Sequence, residues 1–260
     1  MKLFTVPNLI TLANLLCGCL AIVCAFNGDL VWSAYLVGIA AVLDFLDGFV
    51  ARALKQHSPI GKDLDSLADM VTFGVVPGVV MFQLLRLGFT ENDVYGYWGM
   101  LKTDLLTYKA AFLGFLITLF SALRLTKFNN DTRQSDSFIG VPTPANSILI
   151  CSLPLILNYI DNQYSGDYSG FDLWIAELIL NPWFLLTLTV VMSYLLISEI
   201  PLFALKIKSF KWKGNEIRYS FLAAALVMLV FLKFIALPLI IVLYVLLSVV
   251  SNLVKGKKTA

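Results

Sequence analysis

Residues 44–69 read DFLDGFVARALKQHSPIGKDLDSLAD, and this stretch decides how the chain must be built. It is flanked by apolar runs in a chain that is 59% hydrophobic and 14% charged, against roughly 45–50% and about 25% for a soluble domain. Asp44, Asp47, Arg52, Asp65 and Asp69 therefore fall inside segments otherwise suited to crossing a bilayer. A carboxylate near the bilayer centre costs about 2.5–3.5 kcal/mol on insertion scales, so four of them require a compensating partner. Arg52 and Lys62 are too few to neutralise them. A carboxylate cluster without histidine or cysteine selects hard, oxygen-seeking divalent cations such as Mg²⁺ or Mn²⁺. The single histidine, His57, reads as a solvated residue of the turn between the two segments, and Cys17, Cys19, Cys24 and Cys151 lie in other apolar runs.

Working outward, apolar windows predict helices near 7–26, 31–54, 61–86, 107–127, 144–160, 175–200, 218–233 and 235–253, each near the ~20 residues that span a bilayer. The fold class expected is all-α, a polytopic transmembrane helical bundle. Only Lys233 and its neighbours would turn the last two helices, so a single bent or re-entrant segment is the alternative there. The N-terminal segment has the lysine and apolar run of a signal peptide, but no small-residue cleavage site follows, and it reads as a retained first span. With the N-terminus in the cytoplasm, all but Arg86, Lys102, Lys109 and Lys233 of the 19 basic residues face inward, which satisfies the positive-inside rule. Residues 1–200 read as a transmembrane core, and residues 201–260 as a cytoplasmic basic linker, Lys206 to Lys213, followed by two C-terminal spans. A net charge of +2 gives no indication of nucleic-acid binding.

Helical periodicity sets the acidic residues in stripes. Asp44, Asp47, Gly48 and Ala51 share one face of the second helix, while Gly61, Asp65, Asp69 and Phe73 recur at i, i+4 on the third. A short turn makes the two helices antiparallel neighbours, so the stripes face each other at a similar depth. At about 1.5 Å per residue, Asp47 lies roughly 10 Å inward from Leu54 and Asp65 about 6 Å inward from Gly61. Two divalent ions would balance four carboxylates, and such a clamp suits in-line displacement at phosphorus.

The pattern Asp44-x2-Asp47-Gly48-x2-Ala51-Arg52-x8-Gly61-x3-Asp65-x3-Asp69 resembles the signature of the CDP-alcohol phosphatidyltransferase family at every fixed position. The resemblance implies a six-helix core, here extended by two C-terminal spans, a homodimer, and transfer of a phosphatidyl group from a CDP-linked lipid to an alcohol with release of CMP. It implies that Asp44, Asp47, Asp65 and Asp69 ligate two Mg²⁺ or Mn²⁺ ions, with Asp65 and Asp69 in the catalytic set and Asp69 the candidate base. Gly48, Ala51, Arg52 and Gly61 would face the CDP moiety, joined by Asn8, Thr11 and Asn14 of the first span.

Four further segments, PNLITLANLLCGCLAI (7–22), DSLADMVTFGVVPG (65–78), RLTKFNN (124–130) and FIGVPTPAN (138–146), resemble the branch of the family that takes L-serine as acceptor, with CDP-diacylglycerol as donor. A zwitterionic acceptor needs a cation for its carboxylate and oxygens for its ammonium. Arg124, Asn129 and Thr143 are the candidates, with Lys127 and Asn130 beside them. Arg124 reads equally as a positive-inside anchor at a helix end. The same chemistry on glycerol 3-phosphate or inositol phosphate is the alternative, for which Arg124, Lys127 and Arg133 would supply charge. An ion-coupled transporter would scatter its carboxylates near the midplane of repeated halves, which this chain does not do. The expected setting is a multi-pass protein, its site facing the cytoplasm, in a prokaryotic plasma membrane.

Overall fold

A computed structural model of the chain describes residues 3–56, 58–91, 109–131, 137–163, 170–203 and 215–256. His57, Lys102, Arg133 and the lysines from Lys206 to Lys213 lie outside the described residues. The architecture is helical. α1 (Val6–Phe26) starts where Thr5 accepts from the Asn8 amide, and ends at Asn27 and Gly28, the latter at φ +86°. Asp29 then caps α2 (Leu30–Ala53) by accepting from the Trp32 amide, which makes α1 and α2 a tight antiparallel pair. Ser58 opens α3 (Pro59–Asp69) by accepting from the Gly61 amide at 3.0 Å.

The third span is not the uniform helix that the spacing predicts. After Asp69 the chain widens into a π-helical turn, Met70–Val75, before continuing as α4 (Val76–Glu91). A π turn shifts every later residue around the axis, so Phe73 leaves the acidic stripe and is fully buried in the core. Side chains from neighbouring helices seat this turn: Thr118 donates to the Gly74 carbonyl at 3.0 Å, and Thr72 donates to the Asn14 carbonyl at 3.3 Å.

Next come α5 (Leu116–Asn130), preceded by a 3₁₀ turn at Phe112–Phe115, and α6 (Thr143–Gln163). The helix expected over 175–200 is two helices, α7 (Gly170–Leu180) and α8 (Pro182–Ile197), bent by 64° at Asn181. The Asn181 side chain caps α8 by accepting from the Trp183 and Phe184 amides, and Pro182 has no amide hydrogen to continue α7. The Asn-Pro pair carries this break in the sequence. Two three-residue strands, β1 (Ser137–Ile139) and β2 (Pro201–Phe203), pair antiparallel where only loops were expected.

Among the described residues, six helical stretches are long and apolar enough to cross a membrane, or seven with the bent pair counted as one span. One of the six, Glu216–Asn252, comprises α9 (Glu216–Leu232), a 3₁₀ turn from Lys233, and α10 (Ala236–Gly256). The Phe221 and Tyr244 rings lie 5.6 Å apart, whereas a continuous helix would separate them by about 35 Å. The stretch therefore doubles back at Lys233, whose φ is +48°, and the C-terminal segment is a helical hairpin. The Lys233 ammonium donates to the Tyr159 hydroxyl at 2.7 Å, tying the hairpin tip to α6. The chain is thus a multi-pass membrane protein, with large apolar side chains exposed along α1, α2, α8 and α9.

Candidate functional site: a carboxylate wall between two cavities

The acidic residues converge, although α2 and α3 are not packed neighbours. Both lie against α1, and their own backbones stand apart, so their carboxylates reach into the gap between them. One oxygen from each of Asp44, Asp47 and Asp65 lies within 4.8 Å of the other two. Asp69, one turn beyond Asp65, lines one cavity together with Asp44 and Asp65. Asp47 is 6% exposed and accepts from the Thr11 hydroxyl at 2.6 Å, which fixes its rotamer from α1.

The donor set suits a hard cation. Asp65 Oδ1 and Asp69 Oδ1 are buried with no hydrogen-bond partner among the described residues, a costly arrangement unless the oxygens are ligands. All-carboxylate donors match Mg²⁺ or Mn²⁺. Asp63, between Lys62 and Asp65, is exposed and stands apart from the cluster.

The carboxylates form the wall between two cavities. One, of about 550 Å³, is lined by Asn8, Thr11, Gly48, Ala51, Arg52 and Gly61 together with Asp47 and Asp65. The first six of these are six of the seven residues that the sequence sets around the CDP moiety. The Arg52 guanidinium nitrogens lie 3.8 and 4.0 Å from where a Gly48 Cβ would stand, an ordinary van der Waals distance, so Gly48 lies directly beside the cation. A Cβ on Gly61 would come within 3.1 Å of both Asn8 Oδ1 and Ser58 Oγ. Asn14 does not join this set. Six residues beyond Asn8, it is turned off the lining face and lies about 9 Å deeper, and it is fully buried with both side-chain amide atoms unpartnered among the described residues.

The second cavity, about 280 Å³, lies across the wall. Asp44, Asp65 and Asp69 line it together with Arg124, Asn129 and Thr143, the three residues assigned to the acceptor. Arg124 is 3% exposed, its Nε has no partner among the described residues, and its guanidinium lies 5.1 Å from the Phe128 ring centre. Such burial is not that of a surface anchor at a helix end. Lys127 is turned elsewhere, paired with Glu199 and donating to the Ile197 carbonyl. Asn130 donates back to the Thr126 carbonyl at 2.9 Å, within its own helix, and is a helix-end residue.

Sequence reasoning missed Ser66 and Phe128. Ser66 accepts from the Asn129 side-chain amide nitrogen at 2.8 Å, and the Asn129 backbone carbonyl accepts from the Lys62 ammonium at 3.4 Å, bracing α3 to α5 beside the cavity. The position of Ser66 beside Asp65 was the available signal, but adjacency on a helix does not show which residue of a distant helix it meets. Phe128 lies one turn after Arg124, the spacing at which a ring stacks under a guanidinium.

The fold and the site define a membrane-embedded protein that sets a carboxylate cluster between a nucleotide-sized cavity and a smaller one. The family model for CDP-alcohol phosphatidyltransferase matches residues 4–191, and the chain belongs to that family. It is similar to the CDP-diacylglycerol--serine O-phosphatidyltransferase of Helicobacter pylori strain J99, at 35% identity over 164 residues covering 62% of this chain and 60% of the relative. The enzyme of the same name from Bacillus subtilis strain 168 is 30% identical over 199 residues, 75% of this chain and 88% of that protein. The archaetidylserine synthase of Methanothermobacter thermautotrophicus is 31% identical over 168 residues, 64% of this chain and 62% of the relative. The chain thus matches about three fifths of the Helicobacter protein's length.

Proposed function

We infer that the chain transfers the phosphatidyl group of CDP-diacylglycerol to the hydroxyl of L-serine, giving phosphatidylserine and CMP. The observation that carries this reading is the acceptor cavity. Arg124 is the only cationic residue among the described residues that line it. One buried guanidinium matches one carboxylate, whereas a phosphorylated acceptor such as glycerol 3-phosphate or inositol phosphate calls for more positive charge. The Asn129 side-chain carbonyl and the Thr143 hydroxyl supply oxygens for the serine ammonium. The names of the Helicobacter, Bacillus and Methanothermobacter relatives support the same acceptor.

In this reading Asp44, Asp47, Asp65 and Asp69 hold two Mg²⁺ or Mn²⁺ ions. Bound there, the cations would neutralise the carboxylates and the developing charge on the phosphate oxygens. Arg52 holds the diphosphate, and Asn8, Thr11, Gly48, Ala51 and Gly61 shape the space for the nucleotide. Asp69, on the acceptor side, takes the serine hydroxyl proton. The serine oxygen bonds to the phosphorus that carries diacylglycerol, the bond from that phosphorus to the CMP oxygen breaks, and CMP leaves on the nucleotide side. Asp65 lines both cavities, which supports donor and acceptor meeting at one carboxylate cluster.

The reading includes a site facing the cytoplasm of a prokaryotic plasma membrane, on the charge distribution. It includes a homodimer, on family membership. It also includes a division near residue 200, supported by the end of the family match at residue 191. The test is CMP release by the purified chain in detergent with CDP-diacylglycerol and Mg²⁺ or Mn²⁺, offering serine, glycerol 3-phosphate, inositol and inositol phosphate in turn. Release with serine alone is expected; release with a phosphorylated alcohol instead would reassign the acceptor.

A further inference from the structure

The family match ends at residue 191, leaving β2 and the C-terminal hairpin of α9 and α10 without a role. Yet they lead by an unbroken series of contacts to the acceptor cavity. Three of that cavity's lining residues, Pro142, Thr143 and Pro144, lie at the start of α6, directly after Gly140 and Val141. The Gly140 amide donates to the Ile200 carbonyl at 2.9 Å and the Val141 amide to the Leu195 carbonyl at 3.0 Å. Gly140 is at φ +76°, and a Cβ there would stand 2.7 Å from the Leu196 carbonyl oxygen, so the segment fits closely over the end of α8. Just before it, β1 pairs with β2, Ser137 opposite Phe203 and Ile139 opposite Pro201.

A three-residue, two-stranded ladder does not hold itself together; such pairs need packing against other elements. α10 supplies that packing. Along the edge of β2 turned away from β1, the Phe203 carbonyl accepts from the Tyr244 hydroxyl at 2.8 Å and the Pro201 carbonyl accepts from the Asn252 side-chain amide at 2.6 Å. Alternate carbonyls of a strand point the same way, so two side chains of one helix grip the free edge. The Phe203 ring is held between Tyr244, at 4.9 Å, and Phe221 of α9, at 5.9 Å. Leu202, between the two gripped residues, is 1% exposed.

We propose that the C-terminal hairpin is a positioning device for the acceptor cavity: Tyr244 and Asn252 fix β2, β2 fixes β1, and through Gly140 and Val141 the pair fixes the wall that bears Thr143. This rests on the acceptor assignment made above. The nucleotide cavity is built from α1, α2 and α3 and shares none of these contacts. Loosening the grip therefore acts on one substrate only.

The test uses the full chain in detergent, with serine and CDP-diacylglycerol titrated separately. Tyr244→Phe removes the hydroxyl and keeps the ring stack. Asn252→Ala removes the amide, and Asn252→Gln restores a donor on a longer arm. Losing one such hydrogen bond is expected to raise the serine KM about three- to tenfold, with kcat and the CDP-diacylglycerol KM within twofold of wild type. Partial recovery is expected in Asn252→Gln, and an effect in the double variant smaller than the product of the two, because both residues grip one strand. Tyr244→Phe keeps its core packing, so folded protein is in hand even where Asn252→Ala lowers the yield. A serine KM within twofold of wild type in Tyr244→Phe, or a rise shared equally by both substrates, overturns the proposal. Should another alcohol prove to be the acceptor, the same split is expected for that alcohol, so the hairpin's role and the acceptor's identity fail separately.

Discussion

Replacing Arg124 by glutamine removes the one positive charge that lines the acceptor cavity among the described residues. Because Arg124 is buried with an unpartnered Nε, the unliganded protein already carries its desolvation cost, and the substitution is expected to leave folding stability unchanged or slightly improved. The loss appears when the acceptor binds. A charge-assisted hydrogen bond contributes about 1.5–3 kcal/mol, so kcat/KM for serine is expected to fall about 10- to 150-fold. The CDP-diacylglycerol KM should stay constant, because Arg124 does not line the nucleotide cavity. Arg124→Lys keeps the charge but loses the planar fork and the stacking on Phe128, and should fall between the two. The assay is initial-rate CMP release with serine varied at saturating CDP-diacylglycerol, beside thermal unfolding in the same micelles. An unchanged serine KM in Arg124→Gln, or equal losses for both substrates, would refute the assignment of this guanidinium to the acceptor.

Two other outcomes follow from the same geometry. Asp69→Asn keeps the shape of the side chain and removes its basicity, so turnover should be lost while the unfolding temperature is retained; wild-type rates in that variant would remove Asp69 from the chemistry. Gly61→Val would press a branched side chain onto Asn8 Oδ1 and Ser58 Oγ, where even a Cβ stands at 3.1 Å. The CDP-diacylglycerol KM should rise at least tenfold with the serine KM little changed, about 1.4 kcal/mol lost from nucleotide binding, and equal KM changes would contradict the two-cavity arrangement.

Much of the site was legible because its residues obey one periodicity on two helices. Asp44, Asp47, Asp65 and Asp69, with Gly48, Ala51, Arg52 and Gly61, are found where helical spacing puts them, since a membrane helix must satisfy its own backbone and has little freedom to deviate. The exceptions have local causes. Phe73 left the stripe because the π turn after Asp69 adds a residue to the register, and nothing in MVTFGV announces that turn. Asn181-Pro182 did announce a break, but the hydropathy on either side concealed it. The β1–β2 ladder was invisible because its partners are three residues long and about sixty residues apart. The Ser66–Asn129 brace was likewise a matter of which helices meet, which periodicity along one helix does not encode.

Phosphatidyl transfer as proposed requires that oxygens from α2 and α3 jointly ligate metal beside the two cavities. Anomalous diffraction from crystals grown with Mn²⁺, collected on wild type and on Asp47→Asn, reads this directly. The expected result is two anomalous peaks among the carboxylates of Asp44, Asp47, Asp65 and Asp69 in the wild type, with at least one lost in the variant. No peak there, or peaks that persist unchanged in Asp47→Asn, would contradict it.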